Sequence, residues 1–168
     1  MPTLLVPIDF SECTNGLLEQ ASDYAWRLGL DLTLLHVAQA PAGTQQAVLN
    51  GRTGSEMLVE ESDRLLRHFA QAVSVTVHTL TRIGPAGDTI LAVAEELQPE
   101  LILVGTHGRR GIARMCLGSV SEHVIRRAKV PVMTLRTQHR PECAAKSCAV
   151  CSSHHTEVDE RLRAEQEG

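Results

Sequence analysis

Apolar positions along this chain alternate between two patterns up to about residue 135: short unbroken runs, and stripes spaced three and four residues apart. The first pattern reads as buried strand and the second as amphipathic helix. Thr3-Leu4-Leu5-Val6-Pro7-Ile8 is the first strand, with Pro7 where ladder pairing stops. A helix follows to about Leu28, carrying Leu17, Ala21, Tyr24 and Leu28 on one face, and Gly29 suits its C-cap. Leu32 to Val37 is the second strand. Residues Ala38 to Ser55 lack a period and read as a long loop. Leu58, Leu65, Phe69 and Ala72 share a helical face, and the alternating stretch Val75 to Leu80 predicts a third strand. After the break Gly84-Pro85-Ala86-Gly87, Asp88 opens a helix carrying Ile90, Val93, Ala94 and Leu97, stopped by Pro99. Leu101 to Val104 is the fourth strand. A helix from about Ser119 to Ala128 turns Val120, Val124 and Ala128 inward, and Val130 to Leu135 is the last strand, with Pro131 suited to an edge.

Strands alternating with helices predict an α/β fold: a single open parallel five-stranded sheet with helices on both faces. Ligands of such sheets sit beyond the carboxyl ends of the strands, where strand order reverses. The ends of the first, second and fourth strands, at Asp9, Val37 and the loop from Gly105, therefore converge on one crevice.

Composition narrows the function. A net charge of −4 argues against a general nucleic-acid or anionic-membrane surface. No apolar run approaches the ~18 residues of a membrane span, and the apolar start reads as a strand rather than a leader. The five cysteines do not form a secreted disulfide framework, which points to the cytoplasm. With 43% hydrophobic but only 2% aromatic residues, the core is built mainly from Leu, Val, Ile and Ala.

The candidate chemistry lies between the fourth strand and the last helix. Gly105 and Gly108 allow a sharp turn and close backbone approach. Gly118 and Ser119 open a helix whose first amides carry partial positive charge. Together they form a phosphate cradle that needs no lysine. The spacing Gly105-x2-Gly108-x9-Gly118-Ser119, with Val6-Pro7-Ile8-Asp9 and Val130-Pro131-Val132, resembles the ATP-binding subset of the universal stress protein family. The resemblance spans residues 1–136 and implies a HUP-type, Rossmann-like domain. It further implies a nucleotide site built from Pro7, Ile8, Asp9, Val37, Gly105, Gly108, Arg109, Gly118, Ser119, Val120 and Ser121, with Asp9 on the nucleoside and the Val37 main chain on the adenine. ATP with Mg²⁺, a homodimer through Val130 to Leu135, and a regulatory role in stress tolerance are likewise implied.

The residues alone leave alternatives. Asp9 also suits an N-terminal cap of the first helix, as Ser119 does of the last. Val37 is by default a core residue, and Arg109, Arg110 and Arg114 are either a solvated basic loop or phosphate neutralisers. His107 suits holding the loop, Cys116 packing, and Cys13 either packing or a thiolate favoured at a helix start. The Gly-x4-Gly-Lys-Ser/Thr and Gly-x-Gly-x-x-Gly motifs are missing, so weak ATP hydrolysis or autophosphorylation on Ser119 or Ser121 is the most the loop offers as catalysis. A preference for AMP or a cyclic nucleotide is a further alternative. From residue 137 to 168 the composition changes to a charged tail in which Cys143, Cys148, Cys151 and His154 have a spacing compatible with Zn²⁺. A redox role for Cys148 and Cys151, or a tail without ligand, are the competing readings.

Overall fold

The computed structural model describes residues 2–11, 13–39, 48–49, 52–106 and 118–136. Residues Met1–Thr137 form one compact unit. Its elements are β1 (Thr3–Ile8), α1 (Thr14–Leu28), β2 (Asp31–Ala38), β3 (Val48–Leu49), β4 (Arg52–Thr53), α2 (Gly54–Ala70), β5 (Val77–Ile83), α3 (Ala86–Leu97), β6 (Leu101–Gly105), α4 (Ser119–Arg127) and β7 (Val132–Leu135). Five strands make a parallel sheet in the order β5-β2-β1-β6-β7, while β3 and β4 pair separately and antiparallel. Strand order reverses at β1, so the open sheet predicted from the sequence has its switch point between β1 and β6.

Strand alternation splits the core in two. Leu4, Val6 and Ile8 of β1 and Leu32 and Leu34 of β2 pack with Leu17, Ala21 and Ala25 of α1 and Leu66 and Phe69 of α2. Leu5, Leu35, Ile102 and Val104 face the opposite way, onto Ile90, Val93 and Ala94 of α3 and Val124 of α4. Period-2 side-chain direction is the cause: neighbouring leucines on one strand serve different layers.

Pairing moves several boundaries. β5 runs to Ile83 rather than stopping at Leu80, because its partner β2 supplies ladder positions from Leu32↔Val77 to Ala38↔Ile83. The ladder ends at Gly84, whose φ of 153° admits no ordinary side chain. β7 begins at Val132, not Val130: Pro131 has no N–H, although its carbonyl accepts from Ile102 N–H at 3.0 Å. The predicted loop from Ala38 to Ser55 contains β3 and β4 and the start of α2. There Thr53 Oγ1 accepts from Glu56 N–H at 3.2 Å, while Glu56 Oε2 accepts from Thr53 N–H at 2.7 Å. This Thr-x-x-Glu capping box is legible in the sequence and starts α2 before its apolar stripe does.

The helical faces also shift. Leu28 and Leu97 are exposed, and Val120 is 38% exposed, so α4 turns Val124 inward as expected but with Ser121 in place of Val120. Gly29 takes the left-handed C-cap of α1 at φ 66°, as the glycine there suggests, and Gln98 does the same for α3 at φ 47°.

Candidate functional site: the crevice between β1 and β6

β1 pairs with β2 along its whole length, from Thr3 to Ile8, but with β6 only at Leu4 and Leu5. Pro7, which has no N–H to donate, lies beyond the last of the pairs with β6. β6 continues along β7 as far as Gly105↔Leu135. The carboxyl ends of these strands flank the switch point between β1 and β6, where the sequence reading expects a ligand.

The α4 side of this switch point is built by short backbone ties. Thr106 N–H donates to Leu135 O at 2.9 Å, and Gly118 N–H donates to Thr106 O at 3.0 Å. Ser121, 6% exposed, donates its hydroxyl to Gly105 O at 2.7 Å. Helix α4 is thereby bolted to the end of β6 at two points. The Ser121 proton is committed to the Gly105 carbonyl.

Gly118, not Ser119, occupies the N-cap and, having no side chain, supplies no cap of its own. The N–H groups of Ser119, Val120 and Ser121 thus begin α4 at the positive end of the helix dipole, with no side-chain acceptor from the N-cap residue. The first helical bond runs from Glu122 N–H to Gly118 O at 2.9 Å. Gly118 has φ −72° and ψ 153°, a conformation open to any residue. A Cβ there would stand 3.4 Å from Thr106 O and 3.9 Å from Ser121 Oγ. Backbone geometry therefore does not demand glycine at this position. Gly105 is likewise no sharp turn: it ends β6 in extended pairing, and the described glycines with positive φ are Gly29 and Gly84.

The β1 side is a tight reversal. Asp9 does not cap α1, whose N-cap position is Cys13, half-buried and without a capping side-chain bond. Asp9 Oδ1 instead accepts from Ser11 N–H at 3.1 Å, an Asx turn that fixes the carboxylate beside the crevice. Between them Phe10 adopts φ 56°. Its ring stacks on His36, with centroids 4.1 Å apart, and on Phe69 at 5.7 Å. His36 of β2 donates from Nδ1 to Ile8 O at 2.9 Å. Val37, the neighbour of His36, is half-buried against the α3–α4 core layer, paired with Arg82 of β5, and its main chain reaches the same end of the sheet.

Pro7, Ile8, Asp9, Val37, Gly105, Gly118, Ser119, Val120 and Ser121 all lie at the carboxyl end of the sheet, at the tips of β1, β2 and β6 and the start of α4. Gly108, Arg109, His107, Arg110, Arg114 and Cys116 lie outside the described residues, as do Cys143, Cys148, Cys151 and His154. Among the described residues no group of three or more His, Cys, Asp or Glu side chains is arranged to hold a metal ion, and no helix is long and apolar enough to cross a membrane. His36 and Phe10 escape a sequence reading because each looks like ordinary strand or turn filler. A depression of about 400 Å³ lies elsewhere, along α2, lined by Ser55, Val59, Asp63, Arg67 and Ile83 among others. It contains none of the predicted site residues.

The profile of the Universal stress protein family matches residues 1–136. Universal stress protein A homolog 2 of Coxiella burnetii is 32% identical over 123 residues, which are 71% of this chain and 84% of that protein. Among solved structures, a universal stress protein from Archaeoglobus fulgidus in complex with dAMP superposes with a TM-score of 0.58 at 22% identity, over 81% of this chain and 98% of that one. A universal stress protein in complex with cAMP does so with a TM-score of 0.55 at 22% identity, over 82% and 98%. At those identities the two superpositions establish the shared fold.

Proposed function

Because the chain belongs to the universal stress protein family, we propose that the crevice between β1 and β6 binds an adenine nucleotide, ATP in the first instance. The protein then acts as a nucleotide-responsive cytoplasmic regulator rather than as a metabolic enzyme. One observation carries this reading: α4 begins at the carboxyl end of β6, tied to it through Thr106 and Gly105, behind a glycine whose backbone does not require glycine. Uncapped amides at a helix start are an anion site, and a phosphate chain is the anion they suit. Asp9, held by Ser11 N–H, is placed to accept from ribose hydroxyls, and the main chain at Val37 to read the base edge. Mg²⁺ would accompany the triphosphate, held chiefly by its oxygens, because the described crevice brings one carboxylate, Asp9, and no acidic cluster.

The relatives solved with dAMP and cAMP favour a second reading, in which a monophosphate is preferred. Titration calorimetry with ATP, AMP and cAMP, each with and without Mg²⁺, decides between them. Tightest binding of ATP supports the first reading, and tightest binding of AMP or cAMP supports the second. No heat with any of the three refutes both.

We further propose a homodimer through β7. This strand is a sheet edge with half-buried Val132 and Met133, and edges of that kind are normally covered. Leu135 contributes nothing new there, being 9% exposed within its own protomer.

A further inference from the structure

We propose that His36 and Phe10 are positioning residues for the nucleoside half of the crevice, one imidazole locking the reversal that aims Asp9. The inference deepens the adenine-nucleotide reading and rests on it. β1 ends at Ile8, and the chain must turn back within five residues to begin α1 at Thr14. Phe10 makes that turn at φ 56°, a left-handed conformation that a bulky side chain rarely adopts. Such strain persists only where the surroundings over-determine it. Here the surroundings are two aromatic stacks sharing Phe10: His36 at 4.1 Å with planes 27° apart, and Phe69 at 5.7 Å with planes 11° apart.

His36 serves both strands. It pairs in register with Ile8, and its Nδ1 lies 2.9 Å from the Ile8 carbonyl. A carbonyl only accepts, so Nδ1 carries the proton and the tautomer is set. The ring face left by that bond is the platform for Phe10. Phe10 in turn stands between Asp9 and Ser11, whose N–H holds the Asp9 carboxylate at 3.1 Å. Val37 follows His36 directly along β2. The two groups expected to read ribose and base, the Asp9 carboxylate and the Val37 main chain, are therefore referenced to one imidazole. The α4 amides, tied to β6 through Thr106 and Gly105, are not.

The two halves can be separated by experiment on the full chain. Nitrogen-15 NMR of the wild-type protein, above the ordinary imidazole pKa of about 6.5, should show His36 as the Nδ1–H tautomer. His36→Asn keeps a donor for the Ile8 carbonyl but loses the ring, and His36→Phe keeps the ring but loses the donor. Phe10→Gly relieves the strained φ but removes the stack. Calorimetry with adenosine, ATP and inorganic triphosphate should show each variant losing adenosine and ATP affinity by a similar factor, on the order of tenfold. Triphosphate affinity should stay at the wild-type value. An Nε2–H tautomer, wild-type adenosine affinity in the variants, or an equal loss for inorganic triphosphate would each overturn the proposal, the last by reducing the clamp to general fold support. A wild-type protein that binds none of the three ligands ends the nucleotide reading and the clamp's purpose with it. Wild-type binding with unaffected variants ends the clamp alone.

Discussion

Replacing Gly118 by Ala separates a glycine kept for a ligand from one kept for the fold. At φ −72° and ψ 153° alanine meets no backbone strain, and its methyl would make ordinary contacts, 3.4 Å to Thr106 O and 3.9 Å to Ser121 Oγ. Alanine is the poorer N-cap, a loss of up to about 1 kcal/mol. Against this, it restricts the unfolded chain and returns roughly 0.4–1 kcal/mol. The net change should lie within about 1 kcal/mol, which for a chain of this length moves Tm by at most ~4 °C. The ligand-side consequence is larger. A methyl group at the helix start holds phosphate oxygens away from the amides of Ser119, Val120 and Ser121, and ATP affinity should fall at least tenfold, about 1.4 kcal/mol. Differential scanning calorimetry and ATP titration on the same preparation read both quantities. Unaltered ATP affinity would refute the amide-cradle argument, and a Tm drop near 10 °C would show that Gly118 serves the fold.

Gly87 offers a test of packing between α3 and α4. A Cβ there would fall 2.6 Å from His123 Cδ2, while His123 Nε2 bonds Asp88 Oδ1 at 2.7 Å. Gly87→Ala should gain nothing in the wild-type background yet stabilise a His123→Ala protein by ~1 kcal/mol, the helix-propensity difference; additive urea-unfolding energies would refute the clash. Backbone and side-chain hydrogen bonds from Thr53 hold the Glu56 carboxyl below its ordinary range. A depressed folded pKa means that the unfolded chain binds more protons in acid, so this contribution is present above the ordinary glutamate range and lost as pH falls below it. The stability gap between wild type and Glu56→Gln should therefore shrink on acidification towards pH ~3, and a gap that widens would reverse the assignment. For the proposed dimer, Val132→Asp should give a monomer by sedimentation at micromolar concentration without loss of ATP binding. A wild-type monomer under the same conditions would remove the interface.

Much of the architecture follows from the chain read alone. Leu4-Leu5-Val6 and Leu101 to Val104 are too uniformly apolar for anything but strands covered on both faces, Leu32 to Leu35 departs from that only at Thr33, and the stripes between them fit crossover helices. Gly105, Gly118 and Ser119 likewise mark the carboxyl end of the sheet, where the proposed site lies, because a strand, a glycine-bearing loop and a helix start can be recognised from local chemistry. Strand lengths could not be read this way. β5 reaches Ile83 because β2 offers it partners, and β7 starts after Pro131 because a ladder needs an N–H. Nor could the role of each site residue. Gly118 proved conformationally ordinary, Ser121 spends its hydroxyl on Gly105, and Asp9 turns to Ser11 rather than capping α1. The contact between Phe10 and His36 joins residues 26 apart in sequence and has no local signature. Periodicity and propensity act between neighbours along the chain, so sequence determines which elements form and where the crevice must open. Hydrogen-bond partners and stacked rings come from elsewhere in the chain, and only the folded sheet decides which atom each side chain meets.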